Sequence, residues 1–263
     1  MKQAVLTIAG SDSSGGAGIQ ADLKAMSANG VFGMSVLTSI TAQNTCGVSA
    51  VFHLPTSIIE AQLDAIFSDI PVAVVKTGML GTSDIVTTVS RRLAKQHMQH
   101  LVIDPVMVAK GGHPLLEQDA ITTLKSELLP QASLLTPNIY EAEILSGMSI
   151  KTLADARAAA KSIYQLGCKH VLIKGGHLSD QPGTDLLYDG RFFQIFKGEF
   201  IQTSTTHGTG CTFASAIAAH LAKSKTIPDA VEAAKHYTTE AIRHGLALGK
   251  GHGPTDHFYF LQS

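Results

Sequence analysis

The chain has 263 residues, 44% of them hydrophobic and 16% charged, with a formal net charge of -1. That composition suits a globular chain with a large core rather than a disordered one, and without a basic excess it offers no field for nucleic acid or an anionic membrane surface. No run of about 18 apolar residues is available to span a bilayer, the apolar start breaks at Gly10, too soon for a secretion signal, and three cysteines (Cys46, Cys168 and Cys211) suit reduced thiols in a cytoplasmic protein.

Short β-branched runs alternate with longer helical patterns along the chain. Residues 4–10 (AVLTIAG) read as a strand, 17–30 as a helix stopped by Gly30, and 34–42 as a second strand. Residues 57–69 are amphipathic, with Ile58, Ile59, Leu63, Ile66 and Phe67 on one face. AVVKTGML is a strand and its exit, and SDIVTTVSRRLAKQ a helix with Ser or Asp at its cap. HLVIDPVM and SLLTPN read as strands around the helix QDAITTLKSELLP, which Pro130 ends. ADARAAAKSIYQLG is a helix ended by Gly167, and HVLIKGG is another strand. Then DLLYDGRFFQIF places two β-rich arms around Asp189-Gly190, a hairpin signal. GCTFASAIAAHLAKS and PDAVEAAKHYTTEAIRHG close the chain as helices.

This alternation predicts a mostly parallel sheet covered by helices on both faces, in one domain over 1–263. Such sheets bind ligands at the carboxyl ends of their strands. That rule selects the loops 10–18, 43–47, 76–81, 104–113, 136–141, 174–184 and 205–211.

In the first loop, Gly16-Ala17-Gly18-Ile19-Gln20-Ala21 fits the loose dinucleotide pattern G-x-G-x-x-A. That pattern expects an acidic residue about 20 positions on to hold a ribose, and VFGMSVLTSITAQN has none, which argues against a nicotinamide enzyme. The loop is then either a flexible turn or a backbone cradle opened towards a small ligand, with Asp12 able to hold a hydroxyl. No Walker loop occurs. Asn138 and Glu141, three apart at a strand-to-helix junction, read as a helix cap or as oxygen ligands for Mg²⁺. Lys174 ends a strand, as either a solvated lysine or a cation for nucleotide phosphates, and Asp104 ends another. Gly208, Thr209 and Gly210 open a helix, where free N–H donors and the helix dipole suit an anion. Cys211 sits in that first turn, where a thiol pKa can fall. The alternative there is a capped turn with a packed cysteine. His97 and His100 lack a third ligand and suit a helix C-terminus. Cys46 and Cys168 read as packing thiols, and no Gly-x-Ser-x-Gly elbow is present.

Taken in order, LTIAGSDSSGGAGIQADLK, TAQNTCGV, KTGML, DPVMVAKGG, TPNIYEAE, IKGGH and HGTGCTF resemble the hydroxymethylpyrimidine/phosphomethylpyrimidine kinases of thiamine biosynthesis, within the ribokinase-like kinases. The resemblance spans almost the whole chain. It implies a three-layer α/β/α sandwich with a mostly parallel central sheet, ATP with Mg²⁺, and phosphorylation of an alcohol and then of the resulting monophosphate. It also implies a homodimer, and no fused second enzyme is expected after the last helix. On these residues it puts Gln43 against an aminopyrimidine, with Gly10, Asp12, Met79, Val106 and Met107 lining the rest of that pocket. Asn138, Glu141, Lys174 and Thr209 would serve Mg-ATP, with Asp104 joining Asn138 and Glu141 at the metal. Gly208, Gly210, Cys211 and Lys174 would surround the transferring phosphoryl group. Sugar kinases of this fold carry an aspartate where this chain has Cys211. A neutral or ionisable thiol there would let one pocket accept both an alcohol and a phosphate. A pyridoxal/pyridoxine kinase of the same fold is the alternative, separated by Gln43-Asn44-Thr45. The stretch 109–115 is the candidate for a closing loop, from its glycines.

Overall fold

A computed structural model describes residues 2–109, 111–176 and 178–261. Lys110 of the candidate closing loop and His177 of the IKGGH stretch lie outside the described residues.

One sheet of nine strands organises the chain, in the order β3-β2-β1-β4-β5-β6-β7-β8-β9. Strands β1 (Ala4–Asp12), β2 (Phe32–Asn44), β4 (Val74–Thr77), β5 (His100–Ile103), β6 (Leu134–Leu135) and β7 (Val171–Ile173) run parallel. β3 (Gly47–His53) pairs antiparallel with β2 at one edge, and the hairpin β8 (Asp185–Tyr188) and β9 (Phe193–Phe196) closes the other.

Side-chain alternation along the buried strands separates two cores. Leu6, Ile8, Val75, Leu101, Ile103, Leu135 and Ile173 pack on one face against α2 (Thr56–Phe67), α3 (Ser83–Leu93), α5 (Ile139–Ser146) and α6 (Leu153–Tyr164). Val5, Val74, Val102, Leu134 and Leu172 pack on the other against α1 (Gly18–Ala28), α7 (Thr209–Ala222) and α8 (Ile227–Arg243). These are the three layers expected from the sequence. Burying each such Val, Leu or Ile contributes about 1.5–3 kcal/mol. In α7 every residue from Thr212 to Ala222 is buried. A helix that is apolar all round must lie inside, and it lies against β1, β4 and β5, so its amino end comes up at the sheet's carboxyl edge.

Two elements differ from the sequence reading. GVSAVFH forms β3, which was not expected because its exposed edge position leaves no clean alternation. The helix expected to run to Pro130 is regular only over α4 (Gln118–Thr123) and finishes as a π turn, Leu124–Leu128, and a 3₁₀ turn, Leu129–Gln131. The proline ring cannot enter a regular helix interior. The DLLYDGRFFQIF hairpin forms as read, with Asp189 Oδ1 accepting from the N–H groups of Arg191 and Phe192 in its turn.

Candidate active site

The exits of the parallel strands open into one cavity of about 750 Å³. Strand order places the exits of β2, β1 and β4 at one end and those of β6, β7 and the β8–β9 hairpin at the other. The first turn of α7 lies between them. A Cβ on Gly208 would run into the carbonyl of Gly16, and one on Gly210 would lie 3.3 Å from Lys174 Nζ and 3.8 Å from Asp104 Oδ2.

At the first end, the β1–β2 register shifts between Ala9 and Ser11, a bulge of the kind that re-aims side chains beside sites. Gly10 sits in it, and a Cβ there would come 3.0 Å from Met79 Sδ. A second register shift between Ala42 and Gln43 turns Gln43 towards the cavity, which it lines. Gln43 Oε1 accepts from Thr41 Oγ1 at 3.2 Å, while Nε2 has no protein partner among the described residues. Val106 lines the cavity beside Val108.

Two residues expected here behave differently. Met107 does not line the cavity: its side chain is 2% exposed and belongs to the core, because alternation after β5 sends Val106 and Val108 towards the ligand side. Asp12 reaches the cavity, but its carboxylate is already engaged. Oδ1 accepts from Ser14 N and Ser14 Oγ, and Oδ2 accepts from Ala17 N and pairs with His207 Nε2, both at 2.7 Å. Burial alone would raise this carboxyl, but the His207 and Ser14 bonds win and hold it at about 2. Asp12 therefore ties the β1 exit loop to the residue just before Gly208. Gly18 is forced by the same turn: φ is +56°, and a Cβ would collide with the Gly10 carbonyl.

At the centre, Gly208 caps α7 in the left-handed region at φ +77°. The N–H groups of Gly208, Gly210 and Cys211 have no protein acceptor among the described residues. Open donors at the positive end of a 14-residue helix make an anion site. Thr209 lines the cavity, its hydroxyl donating to Thr206 O at 2.8 Å. The sequence left the ionisation of Cys211 open, and burial decides its direction. Burial pushes the thiol up to about 12; Lys76 opposes this, while Asp22 and Asp104 add to it. Desolvation is the largest of these influences, so the neutral thiol is the favoured form of Cys211 at pH 7.

Sequence reading missed what lies behind it. Lys76, at the end of β4, bonds both oxygens of Asp22 at 2.9 Å, and both side chains are fully buried. The KTGML stretch carried Lys76, but nothing in one sequence links it to Asp22, 54 positions away.

At the other end, Lys174 Nζ pairs with Asp104 Oδ1 at 2.8 Å. Asn138 and Glu141 form a reciprocal capping box on α5, with Glu141 N donating to Asn138 Oδ1 at 2.9 Å and Asn138 N to Glu141 Oε2 at 2.8 Å. The capping alternative is thus what the backbone shows. Burial raises the Glu141 carboxyl to about 7, with Lys174 opposing and Asp104 adding. Asp104 and Glu141, two buried carboxylates on one wall, offer the hard oxygens that Mg²⁺ takes and a negative charge it would relieve; the Asn138 amide oxygen is already used in the cap. No group of three or more His, Cys, Asp or Glu side chains that could hold a metal by themselves occurs among the described residues. Beyond them the wall is built from Phe200, Thr203, Thr238 and Ile242, none of which the sequence flagged. Lys235 there pairs with Asp185 at 2.6 Å, and Asp185 accepts from Gly175 N, fixing the turn after β7.

The rim of the first end was read in part. Ala109 lines the cavity, with Ala109 N donating to His113 O and Gly112 N to Ala109 O. His252 also lines the cavity, where its N–H donates to Thr45 O at 2.8 Å. Glycines give the only cue to that strap, since a Cβ at Gly249 or Gly251 would meet Thr45.

The sequence model of the phosphomethylpyrimidine kinase family matches residues 12–256. The hydroxymethylpyrimidine/phosphomethylpyrimidine kinase of Bacillus subtilis is 47% identical over 259 residues, covering 98% of this chain and 96% of that protein. A thiamine biosynthesis bifunctional protein of Geobacter sulfurreducens is 51% identical over 253 residues, 96% of this chain; the match spans 52% of that longer protein. Among solved structures, an ADP complex of Bacillus subtilis pyridoxal kinase superposes with a TM-score of 0.92 at 42% identity, over 100% of both chains. A phosphomethylpyrimidine kinase from Clostridium difficile 630 gives a TM-score of 0.83 at 47% identity, over 92% of this chain and 100% of that one. No helix among the described residues is long and apolar enough to cross a membrane.

Proposed function

The chain belongs to the phosphomethylpyrimidine kinase family, and from that premise we propose that it phosphorylates 4-amino-5-hydroxymethyl-2-methylpyrimidine and then the resulting monophosphate, giving the diphosphate used in thiamine biosynthesis. It is a phosphotransferase of ribokinase-like fold, and ATP is its donor.

The observation that carries the acceptor is the open amide of Gln43, on the cavity wall with Nε2 unpartnered among the described residues. A primary amide offers an acceptor and donors in one plane, which matches a ring nitrogen and its exocyclic amine bidentately. Gly10, Met79, Val106 and Val108 give that ring an apolar bed. The acceptor oxygen then lies towards Gly208, Gly210 and Cys211, whose N–H groups stabilise charge on the transferring phosphoryl group. Phosphoryl transfer needs positioning and charge stabilisation more than covalent chemistry. Lys174 offers its ammonium to the nucleotide phosphates. Phe200, Thr238 and Ile242 suit the nucleoside. Mg²⁺, held through Asp104 and Glu141 directly or by water, would neutralise phosphate charge when bound.

An uncharged Cys211 fits both steps. A phosphate monoester is already ionised and needs no base, and a neutral thiol does not repel it as a carboxylate would. We also propose that the whole chain works as one kinase domain, in the cytoplasm, as a homodimer. Exposed Phe32, Ile40 and Phe52 on the β2–β3 edge support the pairing.

A second reading, phosphorylation of pyridoxal, is favoured by the 0.92 superposition on a pyridoxal kinase. Pyridoxal has no aminopyrimidine edge for Gln43 to pair with. ATP turnover with the hydroxymethylpyrimidine, its monophosphate and pyridoxal, side by side, tests the assignment. Both pyrimidine acceptors are expected to show higher kcat/KM than pyridoxal. The reverse order would replace this reading with the second.

A further inference from the structure

We infer that Lys76, held by Asp22 behind Cys211, is a positioning residue that supplies the positive potential the site needs when its acceptor is itself a phosphate. The inference rests on the two-step reading above.

Lys76 and Asp22 are both fully buried, so neither side chain touches an acceptor and any effect is exerted through the groups in front. Asp22 is saturated. Besides the lysine it accepts from Thr7 Oγ1 at 2.6 Å and Ser215 Oγ at 2.7 Å, which fixes it between β1, α1 and α7. Lys76 borders the cavity where Gly78 and Cys211 meet. A Cβ at Gly78 would lie 2.9 Å from its Nζ.

Stability does not explain the pair. Removing two charges from water costs as much as, or more than, their attraction returns, and an apolar pair of the same volume commonly does as well. Its location does offer a reason. Besides Asp22, the groups that act on the ammonium are the Cys211 thiol, which is uncharged, and Asp104, whose carboxylate is already paired with Lys174. Lys76 lines the cavity and Asp22 does not, so the pair presents its positive end to the reaction centre. The other cavity lysine at the centre, Lys174, faces Asp104 and Glu141, on the nucleotide side.

The two acceptors differ in charge. The alcohol enters neutral, and the monophosphate brings about -1.5 to -2. A buried cation behind the anion site changes the second far more than the first, because interactions in a dry interior are only weakly screened. Lys76 is thereby a determinant of the step ratio, distinct from Gln43, which reads the ring common to both acceptors.

The test compares kcat/KM for the alcohol and for its monophosphate in wild type, the Asp22→Asn/Lys76→Met double variant and the Asp22→Asn single variant. Asparagine keeps polar partners for Thr7 and Ser215, and methionine fills the lysine's volume, so the double variant removes the charges with little change of shape. Folding of each variant is checked by urea unfolding. In the double variant the monophosphate-to-alcohol ratio should fall by about tenfold or more. In Asp22→Asn, which leaves the ammonium less neutralised, the ratio should rise, chiefly through a lower KM for the monophosphate. Equal loss of both steps in a folded double variant would overturn the inference, as would an unmoved or lowered ratio in Asp22→Asn. A wild type that turns over neither acceptor overturns the proposed function as well; a wild type active on both, with ratios unmoved in the variants, overturns this inference alone.

Discussion

Two lysine–aspartate pairs flank the first turn of α7, and they differ in what surrounds them. Lys76–Asp22 is fully enclosed, and its aspartate takes two hydroxyl bonds besides the lysine. Lys174–Asp104 has 15% of its lysine side chain open to the cavity and a second carboxylate, Glu141, close by. The first pair has no capacity left to change partner, so it can hold a fixed potential. The second carries excess negative charge and an accessible ammonium, so an incoming phosphate or cation can rearrange it. One chemistry thus serves two purposes, decided by burial and by the count of remaining donors and acceptors.

The sharpest way to break that contrast is to remove each lysine in turn. Lys76→Met leaves Asp22 uncompensated in a dry interior, which should cost about 3–5 kcal/mol of stability. Lys174→Met should cost much less stability, because cavity water reaches that side and Glu141 can take a proton. It should instead lower kcat by about 10²–10³-fold, the scale for losing one stabilising group at a transition state. Urea unfolding and steady-state kinetics on both variants check this. Equal stability losses would show that the pairs do not differ as described.

Next in size is a pH effect at the carboxylate beside the second pair. The Glu141 carboxyl is raised from 4.5 to about 7, so the folded chain holds that proton more tightly than the unfolded chain. Its contribution to stability is fully present below pH 4.5 and is lost as pH rises through about 7. This group therefore contributes a fall of up to ~1.4 kcal/mol per pH unit across that window, against the rise from buried His220 and His257, each lowered from 6.5 to about 4. Glu141→Gln should remove the fall and leave the rise, so the variant gains stability relative to wild type as pH increases. Asp12 works in the opposite sense and elsewhere: lowered from 3.8 to about 2, it stabilises above pH 3.8, and that stability is lost as pH falls through about 2. Unfolding free energies measured from about pH 2 to about pH 7.5 in wild type and variant separate the two.

The smallest effect lies outside both pairs. Gln43 is half-exposed and its side chain makes one bond, to Thr41. Gln43→Leu should leave stability within about 0.5 kcal/mol, while raising KM for both pyrimidine acceptors by about tenfold or more, since it deletes the polar match to the ring. A rise for the monophosphate only would mean that Gln43 reads the phosphate rather than the ring.

How much of this could be read in advance depends on whether the signal was local. The strand–helix alternation gave the layers and the parallel sheet, because buried strands and apolar-faced helices write their own periodicity. The anion loop was legible for the same reason: Gly208 and Gly210 sit next to the helix they open. Edge strand β3 was not, since exposure erased its alternation. Met107 was assigned to the ligand side, although two-residue alternation gives that side to Val106 and Val108. The ionisation of Cys211 was not legible from the helix start, because its direction is set by burial, which depends on the packing of α7 against α1 and β4. Lys76–Asp22 and Asp12–His207 join residues 54 and 195 positions apart. Pairings over such distances are made by topology and leave no mark on neighbouring residues.

Whether one cavity serves a neutral and a charged acceptor across an uncharged thiol is tested directly by Cys211→Asp. The variant's kcat/KM is measured for the hydroxymethylpyrimidine and for its monophosphate, with ATP in excess. A fixed carboxylate in front of Lys76 should cancel its potential and repel the incoming phosphate, so the second step should fall further than the first. If the second step survives as well as the first, the neutral thiol is not what lets the site accept both.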